Sequence, residues 1–159
     1  MAVPARDSVA NSLAQQAFAL RGSFPDAKVR LTPTRFVWTG TLQPSPGSRI
    51  YTVRIELSNR RFPRVEVVRP ALEPRPGEPL PHVFDDGSLC LHLEDEWTSD
   101  MLMVDTTLPW TAEWLINYEI WKATGLWYGG GQWPPVRTPV REQEGSDMEQ
   151  SRSPSAAKI

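Results

Sequence analysis

Leu80-Pro81-His82-Val83-Phe84-Asp85-Asp86-Gly87-Ser88-Leu89-Cys90-Leu91 holds the only cysteine of the chain, eight residues after one of its two histidines. Asp85-Asp86-Gly87, between them, reads as a turn. A solitary cysteine excludes an internal disulfide and a multi-cysteine metal site, which leaves packing, accident or thiol reactivity to account for it. Packing is the ordinary explanation, because free cysteine is among the most often buried residue types. The surrounding sequence has to decide.

Upstream of this stretch, Pro70, Pro74, Pro76, Pro79 and Pro81 forbid a helix or a central strand, so the approach to the turn runs as extended irregular backbone. Three segments before it read as strands: Arg35 to Leu42, Arg49 to Ser58 and Arg64 to Arg69. The middle one is clearest, since Tyr51, Val53, Ile55 and Leu57 alternate with Thr52, Arg54, Glu56 and Ser58. The turn-rich connections at 43–48 and 59–63 are short enough for antiparallel neighbours, which makes a meander the economical topology. Earlier still, Asp7 and Ser8 cap a helix expected over about 8 to 21. Its apolar positions are Val9, Leu13, Ala17 and Leu20, and Gly22 is its stop.

Downstream, Leu91-His92-Leu93 and an acidic turn lead to Pro109-Trp110-Thr111. These residues open a second helix that reaches Thr124, with Gly125 as its stop. Trp114, Leu115, Tyr118 and Trp121 make one apolar stripe, the mark of a face packed on the sheet rather than of a cofactor site. The segment from Trp127 to Trp133 lacks the lysine and hydroxyl of a phosphate-binding loop, and no strand leads into it. It reads as a structural loop wedged by tryptophans. Beyond Pro134 apolar residues nearly vanish, so the expectation is one domain over 1–134 and a disordered tail over 135–159.

Composition narrows the function classes. A chain of 159 residues suits a single domain that buries about two-thirds of its unfolded surface. Seventeen basic and nineteen acidic residues give a net charge of -2, which supplies no general attraction to nucleic acid or to anionic lipid. The N-terminus has no secretory pattern and no stretch approaches the ~20 apolar residues that span a bilayer, so a cytoplasmic protein is expected. Two histidines and one cysteine fall short of a structural zinc ligand set, and neither an HExxH nor an EF-hand pattern is present, so no metal is expected. Lysine is scarce, at Lys28, Lys122 and Lys158 only. GC-rich codon usage is the simpler cause, and self-protection of a lysine-modifying enzyme the other.

A helix, an antiparallel meander, a proline-rich extended segment, a glycine turn, a cysteine and a second helix, in that order, resemble the ubiquitin-conjugating enzyme fold. Trp38-Thr39-Gly40 matches the family's Trp-x-Gly-like first strand, Pro46-Gly47 its turn, and Tyr51 to Leu57 its second strand. Pro63-Arg64-Val65 matches the start of the third strand. Leu80-Pro81-His82 stands at the His-Pro-Asn motif and Cys90-Leu91 at the active-site Cys-Leu. The interval from Pro81 through Gly87 to Cys90 has no gap, and Trp97 lies close to the family's post-cysteine tryptophan. The resemblance covers roughly residues 8 to 125, and 80 to 91 is its specific part.

The resemblance implies an α+β, ubiquitin-conjugating-enzyme-like fold with an N-terminal helix, a four-stranded antiparallel meander, an active-site loop and a C-terminal helix. It implies that Cys90 carries the C-terminus of a ubiquitin-like protein as a thioester and passes it to an amine, usually a lysine. No cofactor is implied, because a separate activating enzyme spends the ATP. Thioester exchange suits a thiol, which is intrinsically nucleophilic even when only a few per cent thiolate at about neutral pH. His82 replaces the family's asparagine, and three roles stay open for it: hydrogen-bond donor to the oxyanion, general base, or brace of the Asp85-Asp86-Gly87 turn. His92 is a reserve candidate for activating the thiol if the backbone there is extended. Asp100 and Asp105 precede the second helix, and nothing in the sequence selects either.

Leu80 in place of the motif's histidine, together with the tryptophan-rich second helix and Gly129-Gly130-Gly131, is similar to a divergent bacterial branch. Such relatives occur in antiphage, CBASS-type, defence operons beside cyclic-nucleotide-making nucleotidyltransferases. The resemblance implies the C-terminus of such a nucleotidyltransferase as donor and a protein amine as acceptor. Two rivals stand beside this reading. One is an inactive conjugating-fold protein that binds a ubiquitin-like partner, whose members usually lack the cysteine; the other is a Cys-His hydrolase, which needs a third group to orient the histidine.

Overall fold

Alternation in Tyr51–Leu57 sets the sheet. Tyr51, Val53, Ile55 and Leu57 turn to one buried face, and Thr52, Arg54 and Glu56 to the other. The computed structural model describes residues 10–58 and 62–130. Its elements in chain order are helix α1 (Leu13–Ser23), strands β1 (Lys28–Leu31), β2 (Phe36–Leu42), β3 (Tyr51–Leu57) and β4 (Arg64–Arg69), and helix α2 (Thr107–Thr124). The strands form one antiparallel sheet in the order β1-β2-β3-β4, so the chain is α+β with the expected four-stranded meander between two helices. Phe36 pairs with Leu57, Trp38 with Ile55, Gly40 with Val53 and Leu42 with Tyr51, which lays the inner rows of β2 and β3 side by side.

That inner face shares one core with Ala17 and Leu20 of α1 and with Trp114, Leu115, Tyr118 and Trp121 of α2. The expected stripe on the second helix therefore packs as read. Helix α2 is tied to the sheet by Glu119, whose carboxylate accepts the Tyr51 hydroxyl at 2.9 Å and the Arg49 N–H at 3.0 Å. The outer face carries alternating charges. Arg35, just before β2, joins Glu56 and Arg54 of β3 and Glu66 and Arg64 of β4 in a chain of ion pairs.

Several sequence expectations need correction. Helix α1 begins at Leu13 rather than near residue 8, because Ser12 and Gln15 form a reciprocal capping box. Asp7 and Ser8, taken as caps, lie outside the described residues. Gly22 does not stop the helix either; it ends at Ser23, where the Phe24 N–H returns to the Leu20 carbonyl at 2.9 Å. Strand β1, absent from the three segments read as strands, pairs its Lys28–Leu31 with Thr39 to Phe36 of β2. Three of its four residues are exposed, so no half-buried pattern marked it. Helix α2 starts two residues before Pro109, which sits harmlessly in the first turn where an N–H has no helical partner. Gly125 does end it, in the left-handed conformation at φ +80°.

The proline-rich stretch after β4 is irregular, as expected, with a turn at Gly77. It is held against α2 by Tyr118, whose hydroxyl oxygen accepts the Glu73 N–H at 3.0 Å. Arg75 holds it too, its guanidinium donating to the carbonyls of Trp121 and Lys122. The expected tail over 135–159 and Gly131 to Trp133 of the aromatic loop lie outside the described residues, as do 59–61 of the turn before β4. No helix among the described residues is long and apolar enough to cross a membrane.

Candidate active site

The segment after the prolines folds back on itself. Val83 and Leu89 form an isolated antiparallel bridge, Phe84 N–H donates to Ser88 O, and Gly87 N–H to Phe84 O. Cys90 N–H donates to His82 O at 2.9 Å. The eight-residue interval between histidine and cysteine is thus the length of a hairpin that sets the two residues opposite each other. Gly87 turns the tip at φ +82°, a conformation that favours glycine. Leu89 N–H then bonds Val65 O at 2.8 Å, which stitches the cysteine's strand to the start of β4.

The tip is braced by Asp86. Its carboxylate accepts the hydroxyl and the N–H of Ser88 and the Nε–H of Arg64 at 2.9 Å, while Arg64 also donates to the Asp86 carbonyl. The Ser88 hydroxyl first, and Arg64 next, hold this carboxyl well below the usual carboxylate range. Asp86 therefore continues the ion-pair chain of the outer sheet face into the hairpin.

His82 is 3% exposed and has φ +51°, the left-handed region where histidine, asparagine and aspartate are the commoner non-glycine residues. Besides Cys90 N–H, its carbonyl accepts the indole N–H of Trp114 at 3.2 Å. Its ring stacks on Trp127, with centroids 5.0 Å apart and planes 27° apart. Trp127 in turn packs on Trp114, at 5.5 Å. The aromatic loop after α2 thus covers the histidine.

Cys90 is partly buried, and its Sγ lies 3.9 Å from the His92 carbonyl. Burial, and then the Glu96 carboxylate, push the thiol above its ordinary pKa. It opens on a cleft of about 390 Å³ lined also by His82, His92, Glu96, Trp110, Glu113, Asn117, Trp127, Gly129 and Gly130. His82 and Cys90, the two residues singled out in the sequence, thus share one site. His92 reaches the same cleft, but its ring is held between Phe62 and Trp110 with Nδ1 at the Leu93 carbonyl. Asp100 and Asp105 do not line it. Sequence reasoning missed Glu96, Glu113 and Asn117. Asn117 left a legible signal, a polar residue within the buried face that Trp114, Tyr118 and Trp121 define; Glu96 had none to separate it from Glu94 and Asp95.

A family model described as type II CBASS E2 protein matches residues 16–134. The chain belongs to that family. Membership in the CBASS E2 family gives it a role in antiphage defence, with E2-like conjugation alongside the other CBASS conjugation components. The matched span contains the whole hairpin, the cleft and α2. A comparison with curated proteins finds no match.

Proposed function

We propose that this CBASS E2 family member folds residues 1–134 as a ubiquitin-conjugating-enzyme-like domain. On this reading it carries the C-terminus of a donor polypeptide as a thioester on Cys90 and passes it to an amine. The observation that carries the reading is the hairpin: it sets a partly buried thiol opposite His82 at the mouth of one cleft. In the loading step the Cys90 thiolate attacks the donor's terminal carbonyl carbon, held as a thioester on a separate activating protein. The new C–S bond forms, the old one breaks, and the departing thiolate takes up a proton equivalent to the one Cys90 lost. In the transfer step an amine nitrogen attacks the same carbon, the C–N bond forms, and Cys90 leaves as thiolate and is reprotonated by the proton the amine releases.

Both steps build negative charge on the carbonyl oxygen, which a fixed N–H donor stabilises. His82, its ring held by Trp127, is the donor in this reading. The raised thiol pKa slows loading but also makes Cys90 a poorer leaving group, which protects a stored thioester from hydrolysis. The donor proposed is the C-terminus of a cyclic-nucleotide-making nucleotidyltransferase or another ubiquitin-like protein, the acceptor is a protein amine, and the setting is the cytoplasm.

The test is mass spectrometry of the protein recovered with its operon partners. An adduct on Cys90 that thiols remove, and that Cys90→Ser converts into a thiol-resistant ester, is the expected result. No adduct in any condition overturns the reading. The same outcome would favour a catalytically inactive binding module for a ubiquitin-like partner, which the raised thiol pKa also fits.

A further inference from the structure

Two imidazoles line the cleft beside Cys90. His82 serves the oxyanion in the proposed mechanism, which leaves the half-buried His92. The Nδ1 of His92 lies 2.5 Å from the Leu93 carbonyl. A carbonyl oxygen only accepts, so Nδ1 carries the proton of the neutral ring and Nε2 is bare. Nε2 has no hydrogen-bond partner among the described residues. Leu93 is itself held, because its N–H donates to the Glu96 carboxylate at 2.7 Å. Phe62 meets the ring at 5.2 Å and 89°, and Trp110 packs on it at 5.2 Å. One tautomer and one orientation are thus fixed before any substrate arrives, and Nε2 is the polar atom that this side chain brings to the cleft.

The bare nitrogen is not spent on the thiol. Cys90 Sγ meets the His92 main-chain carbonyl, 3.9 Å away, and bonds no ring nitrogen among the described residues. The thiol is also raised, whereas an imidazolium paired with it would lower it. An attacking amine does need a base, since its nitrogen must shed a proton as the C–N bond forms. We infer that His92 is that base, its Nε2 taking the proton of the amine that attacks the Cys90 thioester. The inference rests on the proposal that Cys90 carries an acyl group. As the amine nitrogen bonds the carbonyl carbon, its proton passes to Nε2 and the N–H electron pair stays on the amine. The C–S bond then breaks, and Cys90 leaves as a thiolate that takes the proton back from Nε2, which restores both groups. Between the two transfers the ring is cationic. Glu96 and Glu113 line the cleft, and among the described residues no lysine or arginine does, so that cation forms beside negative neighbours. The acceptor this favours is an aliphatic amine, whose nitrogen holds its proton too firmly for water to remove it quickly.

The test starts from the full chain loaded on Cys90 with an N-acetylglycyl group, supplied as its mercaptoethanesulfonate thioester. On loading, Cys90 Sγ bonds to the carbonyl carbon, and mercaptoethanesulfonate leaves as a thiolate that takes up the released proton. The loaded protein is given butylamine or hydroxylamine, and loss of the adduct is followed by mass spectrometry. Hydroxylamine is the weaker base, and once attached its nitrogen yields a proton to water. His92→Asn keeps an amide N–H for the Leu93 carbonyl and has no basic nitrogen. It is expected to slow discharge to butylamine about a hundredfold, and discharge to hydroxylamine by less than about threefold. His92→Ala, which loses the N–H as well, should match it. Butylamine discharge at the parental rate in His92→Asn, a loss confined to His92→Ala, or equal slowing with both amines overturns the base and leaves the Cys90 carrier standing. A parent protein that takes up no acyl group overturns the carrier, and the base with it.

Discussion

The carbonyl of His82 accepts two hydrogen bonds, one from the main chain of Cys90 at 2.9 Å and one from the indole of Trp114 at 3.2 Å. Helix α2 therefore holds the cysteine hairpin through a residue of its own apolar stripe.

Trp114→Phe removes the indole donor and keeps the aromatic packing. It is expected to cost about 1 kcal/mol in denaturant unfolding. The Cys90 thiol should also react faster with an alkylating reagent at fixed pH, since the hairpin loses its anchor to α2.

The left-handed backbone at His82 separates two substitutions. Asparagine tolerates this conformation and alanine does not, so His82→Ala should lose about 1–2 kcal/mol from backbone strain and lost stacking on Trp127. His82→Asn should lose less and keep a larger share of Cys90 loading. Loading and unfolding measured side by side decide it: equal losses in both variants would remove the backbone explanation.

Burial and Glu96 both raise the Cys90 thiol. The thiolate fraction, and with it the loading rate, is expected to rise about tenfold per pH unit through neutrality. Glu96→Gln keeps an acceptor for the Leu93 N–H but removes the charge, so loading at pH 7 should quicken about threefold. An unchanged pH-rate profile would mean that the carboxylate does not act on the thiol.

Asp86 has its pKa lowered in the folded protein. Its contribution to stability is complete above the ordinary carboxylate range and is lost as the pH falls through the depressed folded value. Asp86→Asn should be less stable at neutral pH by about 1 kcal/mol, a figure kept small because the side chain is half exposed. Below the ordinary carboxylate range its stability should fall less steeply with acid than the parent's, which thermal melts across pH would show.

Gly40 in β2 lies against the ring of its neighbour Trp38. An added Cβ would come 2.4 Å from Trp38 Cζ2, inside a core with no slack. Gly40→Ala is expected to cost about 1–3 kcal/mol, read as a lowered melting temperature.

The parts of the fold that were legible are those written in neighbouring residues. The alternation of Tyr51–Leu57, the bounds of Arg64–Arg69 and the end of α2 at Gly125 all follow from period and turn chemistry. The start of α1 at Leu13 is set by reciprocal hydrogen bonds between Ser12 and Gln15, a capping box that in sequence looks no different from the alternative cap Asp7-Ser8. Gln16 shows the limit most plainly. It is fully buried in an otherwise apolar helix face, where its side chain bonds the Met101 carbonyl and the Met103 N–H, partners more than eighty positions away.

By itself, the sequence determined that Cys90 follows a glycine turn eight residues after His82, between an antiparallel meander and a second helix. Each of those facts depends on residues a few positions apart. Tertiary structure alone decided what surrounds the thiol: Trp127 on His82, and Glu96 and Asn117 on the cleft that the thiol opens on. Contacts between separate elements depend on how α2 and the aromatic loop after it pack over the hairpin, and no local period or turn rule encodes that distance.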